Sequence, residues 1–169
     1  MGLIIGIEST AHTFSFGAVS SDGSDVLPSS SSLYRPEEGG IHPREAADHH
    51  VQSAGDLLRT AMGNWGANKD DIDAIAFSQG PGLGPCLRVG GAVARSMSMA
   101  LDVPLVGVNH CVAHIEIGRR MTGCDDPILL YVSGGNTQVI ARASGRYRVL
   151  GETLDIGIGN MLDKFGRSI

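Results

Sequence analysis

Cysteine is scarce in this 169-residue chain, and it has no surplus of basic charge and no long apolar run. Three cysteines, Cys86, Cys111 and Cys124, are too few and too irregularly spaced for a disulfide framework or a cysteine-based zinc site. Each reads as a small buried or partly buried side chain in a reducing compartment. No apolar stretch reaches membrane-spanning length, and no basic segment precedes Met1-Gly2-Leu3-Ile4-Ile5-Gly6. That hexapeptide also lacks the serine or threonine of a myristoylation signal. The expectation is a soluble, cytoplasmic protein with no membrane role. A net charge of −5 excludes a broad basic surface for gripping nucleic acid, so any RNA contact must be local or shared with a partner.

Glycine is abundant instead. The 24 glycines are about twice the usual share, and they cluster without a repeat, which points to close backbone approach at sites. With 42% hydrophobic residues, the chain is long enough for one domain with a core, or for one lobe and part of another.

Leu3 to Glu8, Phe14 to Val19 and Asp25 to Leu33 read as a strand meander, with Ser20-Ser21-Asp22-Gly23 as a hairpin turn. A Gly/Pro loop over 36–43 leads into a helix whose apolar period runs Ala46, Ala47, His50, Val51, Ala54, Leu57, Leu58, Ala61. A strand (72–78), a glycine-rich turn (79–85), a small-residue helix (87–101), a strand (104–108) and a helix capped by Asn109 follow. Such alternation predicts an α/β domain with a partly parallel sheet. The cluster Thr122 to Pro127 breaks the pattern, and a second meander follows at 128–132, 137–143 and 147–150. We expect a first lobe over 1–124 and the start of a second over 125–169, ending inside a helix near Phe165. So few strands make an incomplete sheet, so the chain reads as truncated.

His110 and His114 stand four apart, which on a helix puts both imidazoles on one face where they can reach one ion. Two ordinary surface histidines would look the same and are the commoner case; their place directly after an apolar strand, where α/β sheets put their sites, strengthens the ligand reading. The pair is half of a zinc-peptidase motif, but Cys111 occupies the position of the catalytic glutamate, which makes that chemistry improbable.

Glu8-Ser9-Thr10-Ala11-His12-Thr13 and Ser133-Gly134-Gly135-Asn136-Thr137 each lie between two strands. Either turn alone reads as a hairpin. Together, at matching points of two lobes, they suit a cleft for nucleotide phosphates, tandem glycines letting backbone N–H groups approach an anion. Gln79-Gly80-Pro81-Gly82-Leu83-Gly84-Pro85 is not a Walker loop, because no Gly-Lys-Ser/Thr follows. It reads as a cleft wall or a rigid strand-to-helix connection, with Arg88 and Arg95 as possible phosphate or RNA contacts. The histidine-rich start of the first long helix, His42, His49 and His50, reads as a solvated helix end or as a charged patch near the cleft mouth.

Gly6-Ile7-Glu8, His42-Pro43-Arg44-Glu45-Ala46-Ala47, Gly80-Pro81-Gly82-Leu83-Gly84-Pro85, Asn109-His110 with His114, Tyr131-Val132-Ser133-Gly134-Gly135-Asn136-Thr137 and Gly151-Glu152-Thr153-Leu154-Asp155 occur in this order. On these motifs the whole chain closely resembles archaeal members of the Kae1/TsaD/Qri7 family. The resemblance implies an actin/Hsp70-type (ASKHA, ribonuclease H-like) two-lobed fold. It implies transfer of a threonylcarbamoyl group from threonylcarbamoyl-AMP to N6 of adenosine 37 in ANN-decoding tRNAs, the t6A modification. By the same resemblance, His110, His114 and Tyr131 match the family's ligands for one divalent metal, iron or zinc. Tyr131, Val132, Ser133, Gly134, Gly135 and Asp163 match its positions for ATP or threonylcarbamoyl-AMP, with Thr10 and Asn136 as further candidates. Glu8 and His12 are candidates for acid–base work. The family's remaining metal ligand, a late aspartate, has no counterpart here, which implies that this chain alone is inactive. The implied partners are tRNA and the KEOPS subunits Pcc1, Bud32 and Cgi121. Two alternatives stand beside this reading: an ATP-binding phosphotransferase on the same fold, and a non-catalytic scaffold for partner proteins.

Overall fold

The computed structural model describes residues 2–169, which divide into two compact units, Met1–His110 and Cys111–Ile169. The first unit holds β1 (Leu3–Glu8), β2 (Thr13–Ser20), β3 (Val26–Leu33), α1 (Pro43–Trp65), β4 (Ile72–Gly80), α2 (Gly84–Leu101) and β5 (Leu105–Asn109). Its sheet runs β3-β2-β1-β4-β5; β1, β2 and β3 are antiparallel neighbours, and β4 and β5 extend β1 in parallel.

Strict alternation of burial makes this sheet. Leu3, Ile5 and Ile7 of β1 and Phe14, Phe16 and Ala18 of β2 turn to one face, and the register Ile5↔Ala18, Ile7↔Phe16 places them side by side. On that face α1 brings Ala54, Leu57, Leu58 and Ala61, and α2 brings Val89, Val93, Ala94 and Met97. Pro43 sits in the first turn of α1, and Gly66 closes it in a left-handed conformation (φ 61°). Pro28 is tolerated in β3 because that strand is at the sheet edge. Cys86 and Cys111 are buried as expected, whereas Cys124 is exposed.

One departure from the sequence reading bears on the site. His50 is neither solvated nor part of a surface patch. It is fully buried against the Phe14 ring, and its Nε2–H donates to the Ala11 carbonyl at 2.9 Å. His42 is the α1 N-cap residue, and His49 pairs through Nε2 with Ser32 Oγ at 2.9 Å. The carbonyl of Ala11, in the turn after β1, needs a donor where α1 crosses it, and His50 supplies one.

The second unit opens on α3 (His110–Thr122), whose first residue closes the first unit. β6 (Ile128–Val132), β7 (Thr137–Ala143) and β8 (Arg146–Glu152) form an antiparallel meander, and α4 (Ile158–Gly166) follows. Cys111 and Ile115 of α3 pack on Ile140 of β7, with Leu129 and Tyr131 of β6 alongside. That packing draws α3 into the second unit, so the compact units part at 110/111, whereas the Gly/Pro break at 122–127 merely separates α3 from β6. The helix expected near Phe165 ends at Gly166, with the Arg167 N–H bonded back to the Asp163 carbonyl at 3.2 Å. Among the described residues, no helix is long and apolar enough to cross a membrane.

Burial holds the His50 imidazole below its usual range, against the opposing pull of the Ala11 carbonyl. A histidine whose folded pKa is depressed binds its proton first in the unfolded chain. Its stabilising role is therefore complete above about pH 6.5 and is lost as pH falls below that. Thermal melts between about pH 7.5 and 5.5 should show a steeper fall for the wild type than for His50→Gln; equal slopes would contradict this assignment.

Candidate functional site

Parallel sheets gather polar groups at the carboxyl ends of their strands. Here β1 ends on Glu8, β4 carries Ser78 near its end, and β5 leads directly into His110. The three side chains meet. His110 Nδ1 lies 3.1 Å from Glu8 Oε2, and the Ser78 hydroxyl donates to the same oxygen. Glu8 Oε1 accepts the Thr10 backbone N–H at 2.6 Å and the Thr10 hydroxyl. Burial by itself pushes the Glu8 carboxyl up, but the bonds from His110, Ser78 and Thr10 outweigh it and hold the group at about 2, against an ordinary 4.5. A carboxylate so fixed is a weak base at neutral pH and a strong hydrogen-bond acceptor.

The turn after β1 is locked from several sides. The Leu83 N–H donates to the Thr10 carbonyl at 2.7 Å. A Cβ on Gly82 would lie 2.5 Å from that carbonyl oxygen, so only glycine lets the 81–83 segment approach. Gly90 of α2 comes similarly close to the Ser9 side chain. The glycine-rich run thus serves as a rigid strand-to-helix connection packed on the Glu8–Thr13 turn. Thr10 is buried, and His12 has a buried Nδ1 with no hydrogen-bond partner among the described residues. Arg88 and Arg95 are exposed on α2. Arg88 lines an open groove of about 530 Å³ between α1 and α2, together with Arg44, Ala47, Val51 and Val93.

In the second unit, Tyr131 and Val132 end β6 and deliver the chain into the Ser133–Asn136 turn. Ser133 N–H and Oγ–H both donate to the Asn136 carbonyl, at 2.8 and 2.9 Å, and the Asn136 N–H returns to Ser133 Oγ at 3.0 Å. Ser133 and Asn136 therefore hold the turn shut. The exposed Gly134 and Gly135 donate no N–H bond among the described residues. The start of α4 closes on this turn: Gly159 N–H donates to the Ser133 carbonyl at 3.1 Å and Asn160 N–H to the Gly134 carbonyl at 3.2 Å. A Cβ on Gly157 would meet Gly134 O at 2.7 Å, and one on Gly159 would meet Ser133 O at 2.9 Å. Asp163 lies on α4, exposed, 3.9 Å from Arg167 Nη2.

His110 and His114 begin α3 one turn apart, and the His114 ring lies 5.7 Å, centroid to centroid, from the Tyr131 ring. Among the described residues, no three His, Cys, Asp or Glu side chains converge as a metal cluster. Ser78 was missed in the sequence; its one signal was a polar residue near the carboxyl end of an otherwise apolar strand. Gly157 and Gly159 were likewise not read as partners of the Ser133–Asn136 turn.

Residues 26–169 match the family described as TsaD, tRNA N6-adenosine threonylcarbamoyltransferase. The chain belongs to this family. A relative named tRNA N6-adenosine threonylcarbamoyltransferase from Methanococcoides burtonii is 54% identical over 170 residues, covering 99% of this chain and 50% of the relative. Another, named probable bifunctional tRNA threonylcarbamoyladenosine biosynthesis protein, from Thermoplasma volcanium, is 54% identical over 98% of this chain and 31% of its own length. The chain thus spans half or less of the length of these relatives. Among solved structures, YeaZ from Pseudomonas aeruginosa is similar with a TM-score of 0.62 at 18% identity, over 90% of this chain and 66% of that one. The ethanolamine utilization protein EutJ from Carboxydothermus hydrogenoformans gives 0.55 at 15% identity, over 90% and 51%. These likenesses bear on fold alone: an actin/Hsp70-type, ribonuclease H-like α/β architecture.

The glycine contact in this TsaD-family turn is open to direct test. Gly159→Ala drives a methyl into the Ser133 carbonyl and should destabilise the chain by about 1–3 kcal/mol in urea unfolding. Gly118→Ala, in the open on α3, should instead stabilise by up to about 1 kcal/mol. Equal effects at the two positions would refute the packing described.

Proposed function

We propose that the whole protein is a tRNA N6-adenosine threonylcarbamoyltransferase and that this chain carries the first half of its site. The observation that carries the reading is the family match over residues 26–169, the span within which His110, His114, Tyr131 and the Ser133–Asn136 turn lie. The substrate would be threonylcarbamoyl-AMP, or ATP as a related nucleotide, and the acceptor N6 of adenosine 37 in ANN-decoding tRNAs.

The donor chemistry of α3 and β6 suits one divalent metal. Two imidazoles one helical turn apart and a phenol are nitrogen and oxygen ligands, which fit iron or zinc better than magnesium or calcium. His110, His114 and Tyr131 would hold the ion, and when bound it would supply Lewis-acid and template chemistry at the phosphate or threonylcarbamoyl group. The Gly134 and Gly135 N–H groups would receive the phosphate, and Ser133 and Asn136 keep the turn in shape for it. The adenine amine then attacks the carbamoyl carbon, the bond to the phosphate oxygen breaks, AMP departs with the electron pair, and N6 gives up a proton. His12, with its buried and unpartnered Nδ1, is the candidate to test for that proton; Glu8 is held too acidic to take it.

An acidic chain needs help to hold tRNA, which supports work within a KEOPS-type assembly with Pcc1, Bud32 and Cgi121 in the cytoplasm. The open groove between α1 and α2, lined by small apolar side chains and edged by Arg44 and Arg88, supports a partner helix seated there.

Replacing both His110 and His114 with Ala in the whole protein should abolish metal retention and lower threonylcarbamoyl transfer at least about 100-fold. Elemental analysis beside a t6A assay measures both. Full metal content and activity in the double variant would overturn the proposal.

A further inference from the structure

The Glu8 carboxylate is saturated. Oε1 accepts two donors from Thr10, and Oε2 accepts the Ser78 hydroxyl and His110 Nδ1. Four donors fill the in-plane lone-pair positions of an ionised carboxylate, which has no proton to give. The proton in the Glu8–His110 bond must therefore belong to the imidazole. In the neutral imidazole, the form that can bind a metal, that is the Nδ1–H tautomer, with Nε2 as the ligand atom on the other side of the ring from Glu8. The acceptor is also immobile, because backbone and side chain of Thr10 hold one oxygen and β4 holds the other. A carboxylate that only stapled β1 to β4 would need Ser78 alone; the bond to His110 reaches a residue 102 positions away in sequence.

We propose that Glu8 is the positioning residue of His110: it fixes the tautomer and the ring plane so that Nε2 is presented as a metal ligand. This rests on the metal reading above and deepens it. Carboxylates commonly orient metal-binding imidazoles in this way, and their loss typically weakens metal affinity 10- to 100-fold.

The test uses the chain as it stands, with Zn(II) as the only added ligand, near neutral pH. Long-range proton–nitrogen NMR reads the His110 tautomer without metal, and calorimetry reads zinc affinity. The wild type should show His110 as the Nδ1–H tautomer. Glu8→Ala should release it toward the Nε2–H form and weaken zinc binding about 10- to 100-fold. Glu8→Gln keeps its amide oxygen on the Thr10 backbone N–H, which can only donate, so its NH2 faces His110 Nδ1 and should likewise turn the ring to the Nε2–H form and weaken zinc binding. A wild-type His110 that is an Nε2–H tautomer or an imidazolium overturns the proposal outright, even where Glu8→Ala does not fold. Unchanged affinity in Glu8→Ala, with binding lost in His110→Ala, overturns this proposal and spares the metal site. Zinc binding indifferent to His110→Ala overturns both.

Discussion

One half-buried carboxylate organises the first unit's polar end. Glu8 closes β1 and collects donors from its own turn, from β4 and from the residue after β5. Leaving any of these groups unpaired would cost about 1–3 kcal/mol, and leaving the carboxylate unpaired would cost more. The alignment of three parallel strands and the shape of the turn after β1 both follow from satisfying it. The apolar face of the sheet supplies the bulk of the stability; Glu8 decides how the strand ends are set against one another.

The second unit solves a similar problem with backbone instead of charge. Its polar turn is closed by Ser133 and Asn136 and pressed by the start of α4, where Gly157 and Gly159 allow backbone to lie on backbone. The Asn160 side chain also lies against Gly134, and the two exposed glycines donate no N–H bond among the described residues. The histidines of α3 and the phenol of β6 reach their places through packing beneath them: Cys111 and Ile115 set the helix on Ile140, and Tyr131 alternates inward on β6 beside the His114 ring.

What could be read in the sequence was what depends on local period. Alternation in β1, β2 and β6, the helical period of α1 and the glycine-rich connection before α2 each fall where the pattern puts them, because neighbours a few residues apart decide them. The i, i+4 spacing of His110 and His114 was visible for the same reason. Contacts across long sequence separations were not. His50 falls in the apolar period of α1, but the Ala11 carbonyl that makes burial of its polar ring favourable is distant in sequence. Ser78 resembles any strand-end serine until Glu8 is placed against it. Gly157 and Gly159 look like flexible spacers until the Ser133 and Gly134 backbone occupies the space their missing side chains would fill. The Gly/Pro break at 122–127 was legible as the helix-to-strand connection between α3 and β6, while the compact units part at 110/111 through packing of α3 on β7.

The central claim is that imidazole and phenol side chains of this TsaD-family chain hold a metal that Cys111, between the two histidines in sequence, does not. X-ray absorption at the zinc or iron edge of the loaded whole protein addresses it directly. The account predicts a first shell of nitrogen and oxygen alone at about 2.0–2.2 Å, with the outer-shell pattern of two imidazoles. A sulfur ligand at about 2.3 Å, or a shell without imidazole, would contradict it.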